Sequence, residues 1–198
     1  MAFDPRWGDE TDAALLVQCE RSDLAAAGEL YRRHAAAVYR FVLVATGSNA
    51  EAADVLQETF MAVLERPTAY DPLRGSCAAY LCGIARHLVY RRYDKRSEPH
   101  AEIEDLAELA SDLPALPPQH EALERGQALA KLHEAIRALP PHYRDVLILV
   151  ELQEMSYADA AAITGIELGT VRSRLARARS RLAELLGASM AKVDGKAP

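Results

Sequence analysis

Ser156-Tyr157-Ala158-Asp159-Ala160-Ala161-Ala162-Ile163-Thr164-Gly165-Ile166-Glu167-Leu168-Gly169-Thr170-Val171-Arg172-Ser173-Arg174-Leu175-Ala176-Arg177-Ala178-Arg179-Ser180-Arg181-Leu182 decides the fold. Ser156 suits a helix N-cap, Asp159 falls in the first turn, and Gly165 suits a helix stop. A tight turn then runs from Ile166 to Gly169, and Thr170 opens a long helix. Helix, glycine-containing turn, helix is the helix-turn-helix pattern.

The five arginines of the second helix are sorted by their spacing. At about 100° per residue, Val171, Leu175, Ala178, Leu182 and Leu185 share one narrow apolar stripe. Ser173, Ala176, Arg177 and Ser180 point away from it. Arg172 and Arg179 line one edge of the outer face, and Arg174 and Arg181 line the other. A small hydrogen-bonding ridge flanked by cations suits a DNA major groove, with flank arginines on phosphates and the ridge on base edges. A solvated face normally mixes signs, yet no acid occurs on this helix from Thr170 until Glu184.

The 198 residues suffice for one ordinary domain or two small ones, and half are hydrophobic. The net charge of −6 argues against a protein coated in cations, but the charge is uneven. Eight acids and no Lys or Arg lie between Ser97 and Glu124, while basic residues gather at Arg86 to Arg96 and in the last helix. Local charge decides what each part can touch. Three cysteines (Cys19, Cys77, Cys82) show no paired metal or disulfide spacing, as expected in a reducing cytoplasm. Met1-Ala2-Phe3-Asp4-Pro5 carries no secretory pattern. No apolar run approaches the roughly 20 residues of a membrane span, so a cytoplasmic protein is expected.

From residue 12 to 96 nearly everything reads as helix. Thr11 or Asp12 caps a short helix through Glu20. A long one covers Leu24 to Thr46 and stops at Gly47. The capping box Ser48-Asn49-Ala50-Glu51 starts a third, running to about Arg66. A loop spans 67–75, and a fourth helix runs from Ser76 to about Lys95. The acidic, proline-containing stretch 97–119 reads as a flexible linker. Helices then follow at about 119–139 and 141–152, before the helix-turn-helix. The expected fold is all-α: two small helical domains, 12–96 and 120–187, on an acidic tether, with a loose N-terminus (1–11) and a C-terminal tail (188–198).

Two further faces bear on function. The fourth helix buries Cys77, Leu81, Ile84 and Leu88. Its opposite side gathers Ala79, Gly83, Arg86, Tyr90 and Tyr93, with Arg91, Arg92, Lys95 and Arg96 beyond. Small residues, stacking rings and cations suit single-stranded nucleic acid; half-buried tyrosines beside an Arg-rich helix end fit the same spacing. The third helix packs through Ala52, Leu56, Phe60 and Val63. It shows Asp54, Gln57, Glu58, Met61 and Glu65 outward, a face suited to a part-basic, part-apolar protein surface or simply to solvent.

Ala52-Ala53-Asp54-Val55-Leu56-Gln57-Glu58-Thr59-Phe60 resembles the polymerase-core-binding motif of bacterial RNA polymerase sigma factors. Tyr80-Leu81-Cys82-Gly83-Ile84-Ala85-Arg86-His87-Leu88 resembles their promoter-melting helix. Gly169-Thr170-Val171-Arg172-Ser173-Arg174-Leu175 is similar to their DNA-reading helix. All three stand in family order, and the short two-domain layout resembles the extracytoplasmic-function group. The resemblance implies that Asp54, Gln57, Glu58 and Met61 bind the polymerase clamp helices. It implies that Asp71, Arg74, Tyr80, Gly83, Arg86, His87, Tyr90, Arg91 and Tyr93 capture the melted minus-ten strand. It implies that Thr170, Arg172, Ser173, Arg174, Ala176, Arg177, Arg179 and Arg181 read the minus-thirty-five duplex, with the C-terminal domain also touching the polymerase flap. The tether would imitate nucleic acid, and an anti-sigma factor is an implied partner. Tyr80 stands where the family usually has Trp, His87 where Asn is frequent, and Tyr90 where an acid is frequent. Asp159-Ala160 replaces the usual Glu-Ile.

No enzyme is expected. The six histidines (His34, His87, His100, His120, His133, His142) are scattered, and no metal-binding His-Glu helix, phosphate loop or nucleophile elbow is present. Neither a catalytic residue, a metal nor a cofactor is expected. Two alternatives use part of the pattern. A plain helix-turn-helix regulator needs only the C-terminal half. A sigma mimic that sequesters an anti-sigma factor can dispense with the nucleic-acid arginines that this chain retains.

Overall fold

The computed structural model describes residues 10–97 and 120–194. Most of the expected N-terminal arm, nearly all of the acidic tether and the last four residues of the tail lie outside the described residues. The elements are α1 (Asp12–Glu20), α2 (Leu24–Thr46), α3 (Asn49–Glu65), α4 (Cys77–Ser97), α5 (His120–Ala138), α6 (Pro141–Leu147), α7 (Tyr157–Thr164) and α8 (Leu168–Asp194). Two 3-10 turns, Pro67–Ala69 and Pro72–Arg74, lie between α3 and α4. A π-helical turn, Ile148–Leu152, extends α6. No strand occurs among the described residues.

Local chemistry sets the helix ends. Thr11 Oγ1 accepts from the Ala14 N–H at 3.2 Å, Asp23 Oδ1 from Ala25 at 2.8 Å, and Ser48 Oγ from Glu51 at 3.2 Å. Each satisfies an N–H that has no helical acceptor. Gly47 closes α2 in the left-handed region (φ 79°), where its N–H reaches the Leu43 carbonyl at 2.7 Å. A β-carbon there would also lie 2.9 Å from the far end of the flexible Arg137 side chain, which can move aside, so the positive φ is what selects glycine. Gly165 closes α7 in the same way (φ 68°). The last helix differs from expectation at both ends. It begins at Leu168, because the Glu167 carbonyl already accepts from Thr170 and Val171, and it continues to Asp194.

The N-terminal helices pack around α2, which touches α1, α3 and α4. Leu15, Leu30, Val38, Phe41, Val42, Val55 and Leu81 are almost wholly buried there. In the C-terminal half α8 lies against α5, α6 and α7 through Val171, Leu175 and Ala178, and Leu182 is half-buried. Leu185, expected on this stripe, is exposed at the edge of a pocket it shares with Leu139 and Tyr143.

The halves are not separate beads. One hydrophobic cluster runs through both, and α4 packs on α7 while α2 packs on α5. Arg144 fastens this seam. Its guanidinium donates to the Ala45 carbonyl (2.9 Å), the Arg137 carbonyl (2.7 Å) and the Leu139 carbonyl (3.1 Å). These groups stand at or just past the C-terminal ends of α2 and α5, where a cation is favoured.

Acid lability follows from one network. The Glu29 carboxylate accepts from Arg32 Nη2 at 2.6 Å and Arg33 Nε at 2.8 Å. Arg32 chiefly, then Arg33, holds its carboxyl at about 2, against an ordinary 4.5. A depressed carboxylate pKa contributes stability that is fully present above pH 4.5 and is lost as pH falls towards 2. The urea midpoint therefore falls across that window, and Glu29→Gln flattens the fall. An unaltered slope in Glu29→Gln would assign acid lability elsewhere.

Candidate nucleic-acid and polymerase interfaces

The outward face of α8 is as the spacing required. Arg172, Ser173, Ala176, Arg177, Ser180 and Arg181 are exposed, and Thr170 and Arg174 are half-buried. The Arg172 guanidinium lies 5.9 Å from the Tyr157 ring centre, and that of Arg181 lies 5.3 Å from Tyr143. Both guanidinium groups lie over an aromatic ring on side chains that remain exposed. Ser173 Oγ donates to the Thr170 carbonyl at 3.1 Å, which leaves its lone pairs outward. Arg179 differs: Glu151 of the π-helical turn takes its guanidinium, with Nε at 3.0 Å. Counting acids along one helix does not find this partner, which arrives from another element. Among the described contacts Arg174 and Arg177 have no ion-pair partner.

On α4, Tyr80, Gly83, Arg86, Tyr90 and Tyr93 are half-buried, while His87 and Arg91 are exposed. The loop before it is shaped by Asp71, whose Oδ1 accepts from Leu73 N–H at 3.0 Å. That turn pushes Leu73 into solvent at 94 % exposure. Tyr70, which the sequence did not single out, stacks obliquely on Tyr80 (5.5 Å between centres) and donates to the Gly75 carbonyl at 3.1 Å. Tyr70, Asp71, Arg74, Tyr80, Gly83 and His87 line a cleft of about 460 Å³, whose far wall is Ala162 and Ile163 of α7. It has stacking rings, a cation and a glycine floor.

Ala79, expected outward, is buried at 4 % exposure, and Ile84, expected inward, is half-buried. α7 packs on α4 on the side of Ala79, and Ile84 lines the cleft between them. Arg86 Nε donates to Asp145 Oδ2 at 2.6 Å, and Tyr90 Oη donates to the same oxygen at 2.9 Å. Burial first, and then the Asp145 charge, pushes the Tyr90 phenol well above its ordinary value. Burial likewise raises Tyr80 and Tyr70.

The α3 face carries Asp54, Gln57 and Met61 in the open, Met61 at 53 % exposure. Glu58 is half-buried because Arg92 (2.7 Å) and Arg91 (3.4 Å) of α4 donate to it. One carboxylate thus belongs to the outward face of α3 and anchors the basic end of α4. Asp12, His34 and Cys77 bring ligand-type atoms within 4.8 Å of one another. Asp12 is already used, with Oδ2 on His34 Nε2 at 2.8 Å and Oδ1 on Arg33 at 3.1 Å. Burial pushes the Cys77 thiol up to about 12. The trio is an ion-paired junction of α1 and α2 over a core thiol.

Three faces on two helical units therefore stand in order along the chain: acidic-apolar on α3, aromatic-cationic on α4, and arginine-edged on a helix-turn-helix. Residues 30–98 match the sequence profile "Sigma-70 region 2", and residues 129–182 match "Sigma-70, region 4". The chain belongs to the sigma-70 family. It is 34% identical over 159 residues to the ECF RNA polymerase sigma factor SigE of Mycolicibacterium smegmatis, covering 80% of this chain and 60% of that protein. It is 32% identical to the ECF RNA polymerase sigma factor RpoE of Cereibacter sphaeroides, over 88% of this chain and 94% of that one. Among solved structures it is similar to the sigma factor RpoE of Bartonella quintana, crystallised with the anti-sigma factor NepR. That match has a TM-score of 0.62 at 27% identity, and covers 81% of this chain and 96% of that chain. As an extracytoplasmic-function sigma factor, the chain is a transcription initiation factor that directs core RNA polymerase to promoters. Among the described residues no helix is long and apolar enough to cross a membrane.

Proposed function

We propose that the three faces divide the work of initiation as follows. Asp54, Gln57, Glu58 and Met61 dock the clamp helices of core polymerase, with acids meeting cations and the exposed Met61 meeting an apolar spot. Tyr70 joins Asp71, Arg74, Tyr80, Gly83, Arg86, His87, Tyr90, Arg91 and Tyr93 in holding the melted minus-ten strand. Its bases stack or enter the cleft after unpairing at a cost of a few kcal/mol, a rough figure. Thr170, Arg172, Ser173, Arg174, Ala176, Arg177 and Arg181 read the minus-thirty-five duplex. Arg179 is assigned to the support of the turn through Glu151, not to phosphate.

The observation that carries this reading is the simultaneous exposure of the α8 ridge, with Arg177 free of any ion pair among the described residues, in a chain whose α4 holds an aromatic-cationic cleft. A plain helix-turn-helix regulator has no use for that cleft. Units 12–96 and 120–187 are the working domains. The chain acts in the cytoplasm without chemistry of its own, and an anti-sigma factor covers its faces when it is idle, as NepR is bound to its sigma factor in the solved complex.

Met61→Glu tests the polymerase face. The side chain is exposed, so the fold is kept while an apolar contact becomes a charge. Co-elution with core polymerase should weaken about tenfold or more, the scale of one interface anchor, and binding of the isolated chain to duplex DNA should be unchanged. Wild-type co-elution would refute the α3 assignment.

A further inference from the structure

Asp12, His34 and Cys77 come from three elements: Asp12 is the first residue of α1, His34 lies within α2, and Cys77 is the first residue of α4. Their ligand-type atoms all lie within 4.8 Å of one another, and no other three His, Cys, Asp or Glu side chains come so close among the described residues. A thiol, an imidazole and a carboxylate are the donors that a borderline-soft divalent ion such as Zn2+ takes. Mg2+ and Ca2+ prefer oxygen alone. Zinc bonds of about 2.0–2.3 Å at tetrahedral angles hold such donors roughly 3.4–3.6 Å apart. Asp12 Oδ2 and His34 Nε2 now stand at 2.8 Å, and the Cys77 sulfur is within 4.8 Å of a donor atom on each residue. Shifts of about an ångström therefore turn the trio into three corners of a tetrahedron.

The surroundings suit a cation. Arg33 Nη1 donates to Asp12 Oδ1 at 3.1 Å, which orients the carboxylate and leaves its other oxygen for an ion. Glu29 takes the Arg33 charge at 2.8 Å, so Arg33 does not stand as an uncompensated cation beside the site. The carboxylate and a thiolate together balance the two charges of Zn2+, so the filled site is neutral at the edge of the core.

We infer that Asp12, His34 and Cys77 form a Zn2+ site that staples α1 and α2 to the start of α4, with water as the fourth ligand. Without the ion, the carboxylate and the imidazole hold each other through one hydrogen, and zinc takes its place. One ring nitrogen binds the ion while the other carries the ring hydrogen, and the thiol hydrogen leaves to solvent as the sulfur binds. The ion enters from the Asp12 side, where the side chain is 23% exposed, and Cys77 is the buried floor. The site does not depend on which faces bind DNA. No ligand-spacing motif marks it in the sequence, because Asp12 and His34 are 22 residues apart and Cys77 belongs to a third helix.

The full chain, reduced and stripped of metal by a chelator, is titrated with Co2+ as a coloured stand-in for Zn2+. A sulfur-to-cobalt band in the near-ultraviolet should rise to one equivalent per chain and bleach when Zn2+ is added, and Mg2+ should do neither. Free Zn2+ at about a hundredfold above its Kd should raise the Tm by about 5–10 °C. Cys77→Ala keeps the core apolar; it should lose the band and the Tm rise, and weaken Zn2+ binding by more than the roughly 10–100-fold that an outer-sphere partner is worth. His34→Gln should show the band only at much higher Co2+. Cys82→Ala and Cys19→Ser, thiols outside the trio, should bind as wild type does, and circular dichroism confirms helicity in each variant. Wild-type affinity in Cys77→Ala or His34→Gln overturns the inference. So does Co2+ binding without a sulfur band, which assigns the ion to other side chains, and so does a wild-type chain that takes up no equivalent of Co2+ or Zn2+.

Discussion

Alanine at both Arg172 and Arg177 abolishes promoter-specific run-off transcription and leaves co-elution with core polymerase intact. Both side chains are exposed on the outer face of α8; truncating Arg177 removes no described contact, and truncating Arg172 removes only its stacking on Tyr157. A good base or phosphate contact from arginine is worth about 1–3 kcal/mol. Two such losses total about 2–6 kcal/mol, or roughly thirtyfold to ten-thousandfold in occupancy of the minus-thirty-five element. Arg177→Lys keeps the charge and loses the two-pronged geometry, so it should recover the salt-dependent part of binding without the sequence preference. Arg179→Ala is the internal control. Its guanidinium is held by Glu151 in the free protein, so its loss from the DNA contact should be far smaller. Reconstituted polymerase on a genomic promoter library reads all three. Undiminished run-off from the double variant would refute the ridge as the reading surface.

That prediction rests on features legible in the chain. The ridge of α8 follows from helical periodicity alone, and Val171, Leu175 and Ala178 are buried where the period puts them. The caps Thr11, Ser48 and Ser156 and the stops Gly47 and Gly165 act locally, so single positions revealed them. What the chain did not show is what comes from elsewhere in space. Glu151 reaches Arg179 from 28 residues away, and Asp145 reaches Arg86 from 59 residues away. Neither partner shares a helix with its target, so no periodicity encodes the pair. The same holds for Ala79 and Ile84: a helix wheel knows one buried side, and α4 is packed on more than one. Tyr70 was missed for a different reason. It sits in a non-helical loop with no repeat to mark it, and only its ring beside Tyr80 shows its use. The π-helical turn at Ile148–Leu152 reads as plain helix in the sequence, because the two differ by one residue in hydrogen-bond span in a stretch too short to set a phase.

The proposed strand face depends in turn on the core beneath α4. Leu81 is wholly buried on the side of α4 that meets α2 and α3. Leu81→Ala removes most of that side chain from the hydrophobic core, where helices cannot close in without moving one another. The cost is about 2–5 kcal/mol, transfer plus cavity, a large share of the roughly 5–15 kcal/mol that holds a domain folded. The urea midpoint should fall accordingly with the slope unchanged. Leu81→Met conserves volume and should cost less than about 1.5 kcal/mol. Because Leu81 lies under Tyr80, Gly83 and Arg86 on the same helix, strand binding should fall with stability in Leu81→Ala and stay near wild type in Leu81→Met. Duplex binding through α8 should change little in either at temperatures where the chain stays folded. A Leu81→Ala protein as stable as wild type would mean that α4 is held by its contacts with the C-terminal half and not by the N-terminal core. In that case the halves would be one cooperative unit, and Asp145→Asn would lower the urea midpoint as far as Leu81→Ala was expected to.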